Sequence, residues 1–162
     1  MSISVGQNVP LTTFVKLGDA GVQEVSGEAL FEGRNVVVFG LPGAFTPTCD
    51  SAHVPSFMRV ADELRAKGVD EIVCLSVNDP WVMDAWSKTT GGSEAGITFL
   101  ADAQSDFAEA IDMILDVPAT GFVRRMKRFS MYVENGVVKV FNPEVARGVC
   151  EISGGEALLA QI

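Results

Sequence analysis

The chain has 162 residues, enough for one domain with a sizeable core, and it is 48% apolar with a formal net charge of −9. Such an acidic chain is poorly suited to nucleic acid or an anionic membrane surface, because both would repel it. No apolar run reaches the roughly 20 residues of a membrane helix, and residues 1–10 lack the basic and apolar regions of a secretion signal, so a cytoplasmic protein is expected.

The first fifth of the chain offers short strand-like pieces at 13–17 and 22–25 and a short helix near 28–31. Residues 35–41 are continuously apolar and β-branched, which predicts a strand buried on both faces. Over 51–67, Val54, Phe57, Ala61 and Leu64 recur at helical spacing. Pro55 should kink or restart that helix, and Gly68 closes it. Residues 71–77 form a second buried strand, so strand, helix and strand make a right-handed parallel βαβ unit. Asp79 and Pro80 read as the cap and first residue of a helix carrying Trp81, Val82, Ala85 and Trp86, ended by Gly91-Gly92-Ser93. A short strand is expected at 98–101. A short helix is expected over 105–114, with Phe107, Ala110, Ile111 and Ile114 on one face.

Arg124-Arg125-Met126-Lys127-Arg128 gathers four cations in an acidic chain; it reads as a solvated loop with one cation turned toward an active site. Residues 129–134 and 137–141 flank Asn135-Gly136, a strong hairpin signal. A short helix over 154–162 ends the chain. The order implies one α/β domain over 1–162: a mixed central sheet, helices on both faces and a C-terminal antiparallel hairpin.

Cys49, Cys74 and Cys150 are far apart, which excludes a disulfide scaffold and a Cys-x-x-Cys motif. His53 is the only histidine, so zinc-ligand spacing is missing, and neither a metal nor a cofactor is expected.

The stretch Pro42-Gly43-Ala44-Phe45-Thr46-Pro47-Thr48-Cys49 sits where a strand passes into a helix. A lone cysteine there is most often packing. Three features favour chemistry. Two prolines and a glycine fix a turn ahead of Cys49. Thr46 brings a hydroxyl within reach of the sulfur. The polar Asp50 and Ser51 predict an accessible thiol, and a helix N-terminus favours a thiolate. His53, one turn on, is either an organiser of the pocket or a structural histidine. Cys74 reads as a small buried hydrophobe.

Pro42-x-x-x-Thr46-x-x-Cys49 resembles the peroxiredoxin active-site motif. His53-Val54-Pro55 with Phe57, Cys74 to Asp79, and Lys127 to Met131 are similar to the type II, or atypical two-cysteine, branch. The resemblance implies a thioredoxin-like fold and thiol-dependent reduction of hydrogen peroxide and alkyl hydroperoxides. It implies Cys49 as the peroxidatic thiolate that becomes a sulfenic acid, with Arg128 as the rigid cation beside it. Thr46 would orient the peroxide, accepting from its O–H and donating toward the sulfur, and Pro42 would shield the site. Part of the branch has a resolving cysteine near Cys150, with Cys74 the second choice; other members use an external thiol. Thioredoxin, or glutaredoxin with glutathione, is the implied reductant. A homodimer is also implied, with Phe45 and Trp81 as candidate contacts. A redox-sensing or chaperone-like module on the same fold is the alternative, while the missing Cys-x-x-Cys argues against a disulfide oxidoreductase.

Overall fold

The computed structural model describes residues 2–162. Hydrophobic alternation in two central strands organises the whole molecule. β3 (Asn35–Gly40) and β4 (Glu71–Ser76) run parallel, with Phe39 opposite Cys74. Val37, Phe39, Ile72 and Cys74 point to one face, and Val36, Val38, Val73 and Leu75 to the other. Val36–Phe39 and Ile72–Leu75 are therefore apolar at every position, because both faces are covered.

The seven-stranded sheet extends outward from this pair. β5 (Ile97–Ala101) is parallel to β4. β1 (Thr13–Gly18) and β2 (Gly21–Ser26) form an antiparallel hairpin whose β1 touches β5. On the other side β8 (Phe129–Glu134) is antiparallel to β3, and β9 (Val137–Pro143) closes the edge. The spatial order is β2-β1-β5-β4-β3-β8-β9. Asn135 and Gly136 both have positive φ, 46° and 78°, as a tight two-residue hairpin turn requires.

Five α-helices among the described residues complete the layers. α1 (Gly27–Phe31) is capped by the Ser26 hydroxyl. α2 (Val54–Ala66) buries Val54, Phe57, Val60, Ala61 and Leu64. α3 (Pro80–Thr90) starts with the Asp79 carboxylate accepting from Val82 N–H and ends at a left-handed Gly91. α4 (Asp106–Ala110) and α5 (Gly155–Leu159) are short.

Three expectations are corrected. The 105–114 helix stops at Ala110, and Ile114 opens a strand, β6 (Ile114–Val117). The cationic stretch is not a loop: most of it lies in β7 (Phe122–Met126), which pairs with β6 in a separate two-stranded sheet. The helix expected from Ser51 begins earlier, at Cys49. Residues Cys49–His53 make one π-helical turn in which Val54 N–H reaches back to the Cys49 carbonyl. Pro55 explains the widening: it has no N–H to donate to Ser51, and its ring would clash with that carbonyl in a regular α-turn.

α5 lies tightly on α2. A Cβ at Gly155 would collide with the Ser56 carbonyl group and sit 2.9 Å from Val60 Cγ2. Backbone cannot give way as a side-chain tip can, so Gly155→Ala should cost about 1–3 kcal/mol despite its better helix propensity. Thermal unfolding should show a midpoint lower by several degrees; an unchanged midpoint would mean that α5 does not pack this closely.

Candidate active site

The chain leaves β3 at Gly40 and enters the turn holding Cys49. Ala44 N–H donates to Asn78 Oδ1 at 3.0 Å, and Asn78 Oδ1 also receives the Ser76 hydroxyl. Gly43 is fixed by a close approach: an added Cβ would stand 2.7 Å from Arg125 Nη1, which itself donates to the Pro42 carbonyl. Phe45 takes a left-handed backbone, φ 64°, unusual for an aromatic residue. The Asp50 N–H bonds to the Thr46 carbonyl, and Trp86 Nε1 donates to Asp50 Oδ1 at 2.8 Å. The turn is thus anchored to β4, β7 and α3, so Cys49 starts its helix at one place only.

Arg128 lies between β7 and β8, with its guanidinium buried against Cys49. Nη2 donates to Cys49 Sγ at 3.3 Å, and Nη1 bonds to His53 Nδ1 at 2.9 Å. The wide π turn keeps Cys49 and His53 on the same side, so one planar guanidinium reaches both. On its other nitrogen, His53 Nε2 bonds to the Ser153 carbonyl at 3.0 Å. A carbonyl only accepts, so Nε2 carries the proton and Nδ1 is the acceptor for Arg128. The imidazole is neutral: burial first, and the Arg128 charge second, lower its pKa to about 3 against the Ser153 hydrogen bond. Phe39 and Phe57, stacked at 4.1 Å, wall the imidazole.

Cys49, His53 and Arg128 converge and Pro42 lines a cavity with Arg128, with two differences from expectation. Cys49 is fully buried rather than accessible: its side chain turns into the core among Phe39, Leu41 and Val54, while the polar Asp50 takes the outside. A cavity of about 140 Å³ opens on Arg128 between Pro42, Leu115, Lys127 and residues 144–148, and neither Cys49 nor Thr46 lines it. The Thr46 hydroxyl donates to the Gly43 carbonyl at 2.7 Å and not toward sulfur. That spends its proton and leaves its lone pairs free to accept.

The other two thiols differ. Cys74 is buried in β4, and burial pushes its pKa well up, with the Cys49 charge adding. Cys150 is half-buried in the segment before α5, and burial raises its pKa too. All three are free thiols.

Sequence reasoning missed Asn78 as an anchor, Arg125 as a clamp on the turn, and Ser153 and Glu144. The last two lie far along the chain in a segment without periodicity, so no local signal marks them. Thr48 Oγ1 donates to the Gly148 carbonyl across a separation of 100 residues, binding that segment to the active-site turn.

The neutral His53 has a measurable consequence. The unfolded chain takes up a proton on this residue below about pH 6.5, and the folded chain does so only near pH 3. Its contribution to stability is therefore complete above pH 6.5 and is lost as pH falls toward 3. Between pH 7 and 5 this amounts to about 2 kcal/mol. Urea titrations should show His53→Gln losing less stability than wild type over that interval; equal losses would mean that the imidazole is not held neutral.

The Redoxin family model matches residues 4–159. Peroxiredoxin-2C of Arabidopsis thaliana is 41% identical over 159 residues, covering 97% of this chain and 96% of that protein. The mitochondrial Peroxiredoxin-2F of Oryza sativa subsp. japonica is 43% identical over 133 residues, 82% of this chain and 67% of its own. Among solved structures, reduced Prx3 from Vibrio vulnificus in complex with H2O2 has a TM-score of 0.91 and 40% identity, covering 98% of both chains. These likenesses are to peroxidases, and a sensing or chaperone-like module is not favoured. The chain belongs to the redoxin family and, within it, to the type II peroxiredoxins: it is a thiol-dependent peroxidase.

Proposed function

We propose that Cys49 is the thiol that attacks hydrogen peroxide and small alkyl hydroperoxides. The observation that carries this reading is the Arg128 Nη2 donor 3.3 Å from Cys49 Sγ, with both residues buried. A guanidinium stays charged, so the sulfur has a permanent cation at hydrogen-bond distance, which can also stabilise charge developing on the departing oxygen. The thiolate attacks the terminal peroxide oxygen. An S–O bond forms, the O–O bond breaks, and the departing alkoxide takes a proton to leave as alcohol, or as water from hydrogen peroxide. Sulfur gives up two electrons and becomes a sulfenic acid. Thr46, its proton committed to Gly43, accepts from the peroxide O–H and sets the line of attack. Pro42, buried beside Arg128, keeps water out and the turn stiff.

Cys150 is the proposed resolving thiol. It attacks the Cys49 sulfenic acid, an S–S bond forms and water leaves. The disulfide is then reduced by thioredoxin, or by glutaredoxin with glutathione. Burial of Cys49 means that residues 144–153 or the π turn must loosen to bring the two Cα atoms within about 7 Å. Cys74 stays behind in β4 and is the weaker candidate.

The assembly proposed is a homodimer. Phe45 and Trp81 stand 51% and 59% exposed near the active-site turn, a costly arrangement for aromatic residues unless a second subunit covers them. Sedimentation of the reduced protein at micromolar concentration should give a dimer, and a clean monomer would exclude it.

Stopped-flow mixing of the reduced protein with peroxide tests the chemistry. Cys49→Ser should abolish the fast phase, and a near wild-type rate would end the assignment. Mass spectrometry after one equivalent of peroxide tests the second step. A Cys49–Cys150 disulfide supports the resolving role, whereas a trapped sulfenic acid on Cys49 rejects it.

A further inference from the structure

Glu144, the residue after β9, has no part in the chemistry above, yet its carboxylate oxygen Oε2 accepts three hydrogen bonds beside the site. A single oxygen, Oε2, receives the Ser153 hydroxyl at 2.6 Å, the Ser153 N–H at 3.1 Å and the Glu151 N–H at 3.1 Å. Ser153 then presents its carbonyl to His53 Nε2 at 3.0 Å, His53 Nδ1 meets Arg128 Nη1 at 2.9 Å, and Arg128 Nη2 meets Cys49 Sγ at 3.3 Å. The Glu144 backbone N–H also donates to the Arg128 carbonyl at 2.9 Å. Arg128 is thus referenced to Glu144 from both ends: directly at its backbone, and through two residues at its guanidinium.

We propose that Glu144 is a positioning residue for the Cys49 reaction: through Ser153 and His53 it sets where the Arg128 guanidinium points. The proposal rests on the reading of Cys49 as the reacting thiol. Two features make the chain directional. Ser153 is buried, so its carbonyl has no water to turn to if it moves away from His53. Arg128 only donates, so Nδ1 stays the acceptor while the two are in contact; an Nε2–H that lost the Ser153 carbonyl would be a buried donor without a partner, and the ring would move to find one, taking the Arg128 contact with it. The carboxyl responds to the same contacts. Burial pushes its pKa up, but the hydrogen bonds from Ser153, Glu151 and Ile152 overcome that and hold it below the ordinary carboxylate range.

A simple loop-closing role for Glu144 predicts different behaviour, and the sole histidine makes the two separable. In the full-length reduced protein, the side-chain 15N spectrum of wild type should show His53 as one fixed Nε2–H tautomer. In Glu144→Ala the Nε2–H signal should shift and broaden as its carbonyl moves, and stopped-flow oxidation by hydrogen peroxide should slow about tenfold. Glu144→Gln should stay within about threefold of wild type, because its amide oxygen supplies the same single acceptor to all three donors. The double variant His53→Gln/Glu144→Ala should be no slower than its slower parent, since both act along one path.

Unchanged His53 signals with a wild-type rate in Glu144→Ala would overturn the proposal, and so would additive losses in the double variant. If Glu144→Ala does not fold, Ser153→Ala takes its place. Loss of that one hydroxyl should shift the His53 signals and slow oxidation, and no change in either would count against the chain. A wild type that does not react with peroxide overturns the Cys49 reading alone, because the spectrum reports the hydrogen-bond path without turnover.

Discussion

A buried guanidinium is the constraint around which the structure is arranged. Taking a permanent charge out of water is expensive unless every donor finds an acceptor, and the cost rises with depth. Arg128 meets it with a sulfur on one nitrogen and an imidazole on another. That choice dictates the rest. The imidazole must be neutral to accept, so its other nitrogen needs a carbonyl, and the carbonyl comes from Ser153. The sulfur must lie on the same side as the imidazole, and the wide turn that Pro55 imposes keeps the two, four residues apart, on one face. The apolar floor of Phe39 and Phe57 keeps water from competing for the same nitrogens.

Most of the scaffold was legible in the chain because local pattern and tertiary role agree. The runs at 36–39 and 72–75 are apolar at each position because both sheet faces are covered, and Asn135-Gly136 supplies the positive φ values of a tight turn. The β6–β7 hairpin was not legible. Arg124 and Arg125 break any apolar alternation in β7, and Ile114 continues a helical spacing that chain geometry ends at Ala110. The four cations then proved to have separate duties: Arg124 bonds to Ser105 and Glu109, Arg125 clamps the Pro42 turn, Lys127 borders the cavity and Arg128 enters the site.

The site was legible in its residue types but not in its wiring. Cys49, Thr46 and Arg128 follow from the motif. The neutral state of His53 does not, because it depends on a carbonyl 100 residues away. The direction of the Thr46 hydroxyl is decided by how Gly43 curls beneath it, a matter of backbone path that composition does not record. Accessibility was misread for the same reason: Asp50 and Ser51 are polar and near the surface, while their neighbour faces the opposite way along the helix.

The contacts between the active-site turn and the segment before α5 share an unusual length. Thr48 to Gly148, His53 to Ser153 and Ser56 to Gly155 span 100, 100 and 99 residues. During synthesis the motif around Cys49 emerges from the ribosome long before its partners exist. Parallel strand pairing can begin, and the turn can close on Asn78, but the imidazole has no carbonyl to fix it until residue 153 has been made. The buried path behind Cys49 is therefore finished only once residue 153 has been made, and a product cut short before it would carry the cysteine without the carbonyl that fixes His53 beside Arg128.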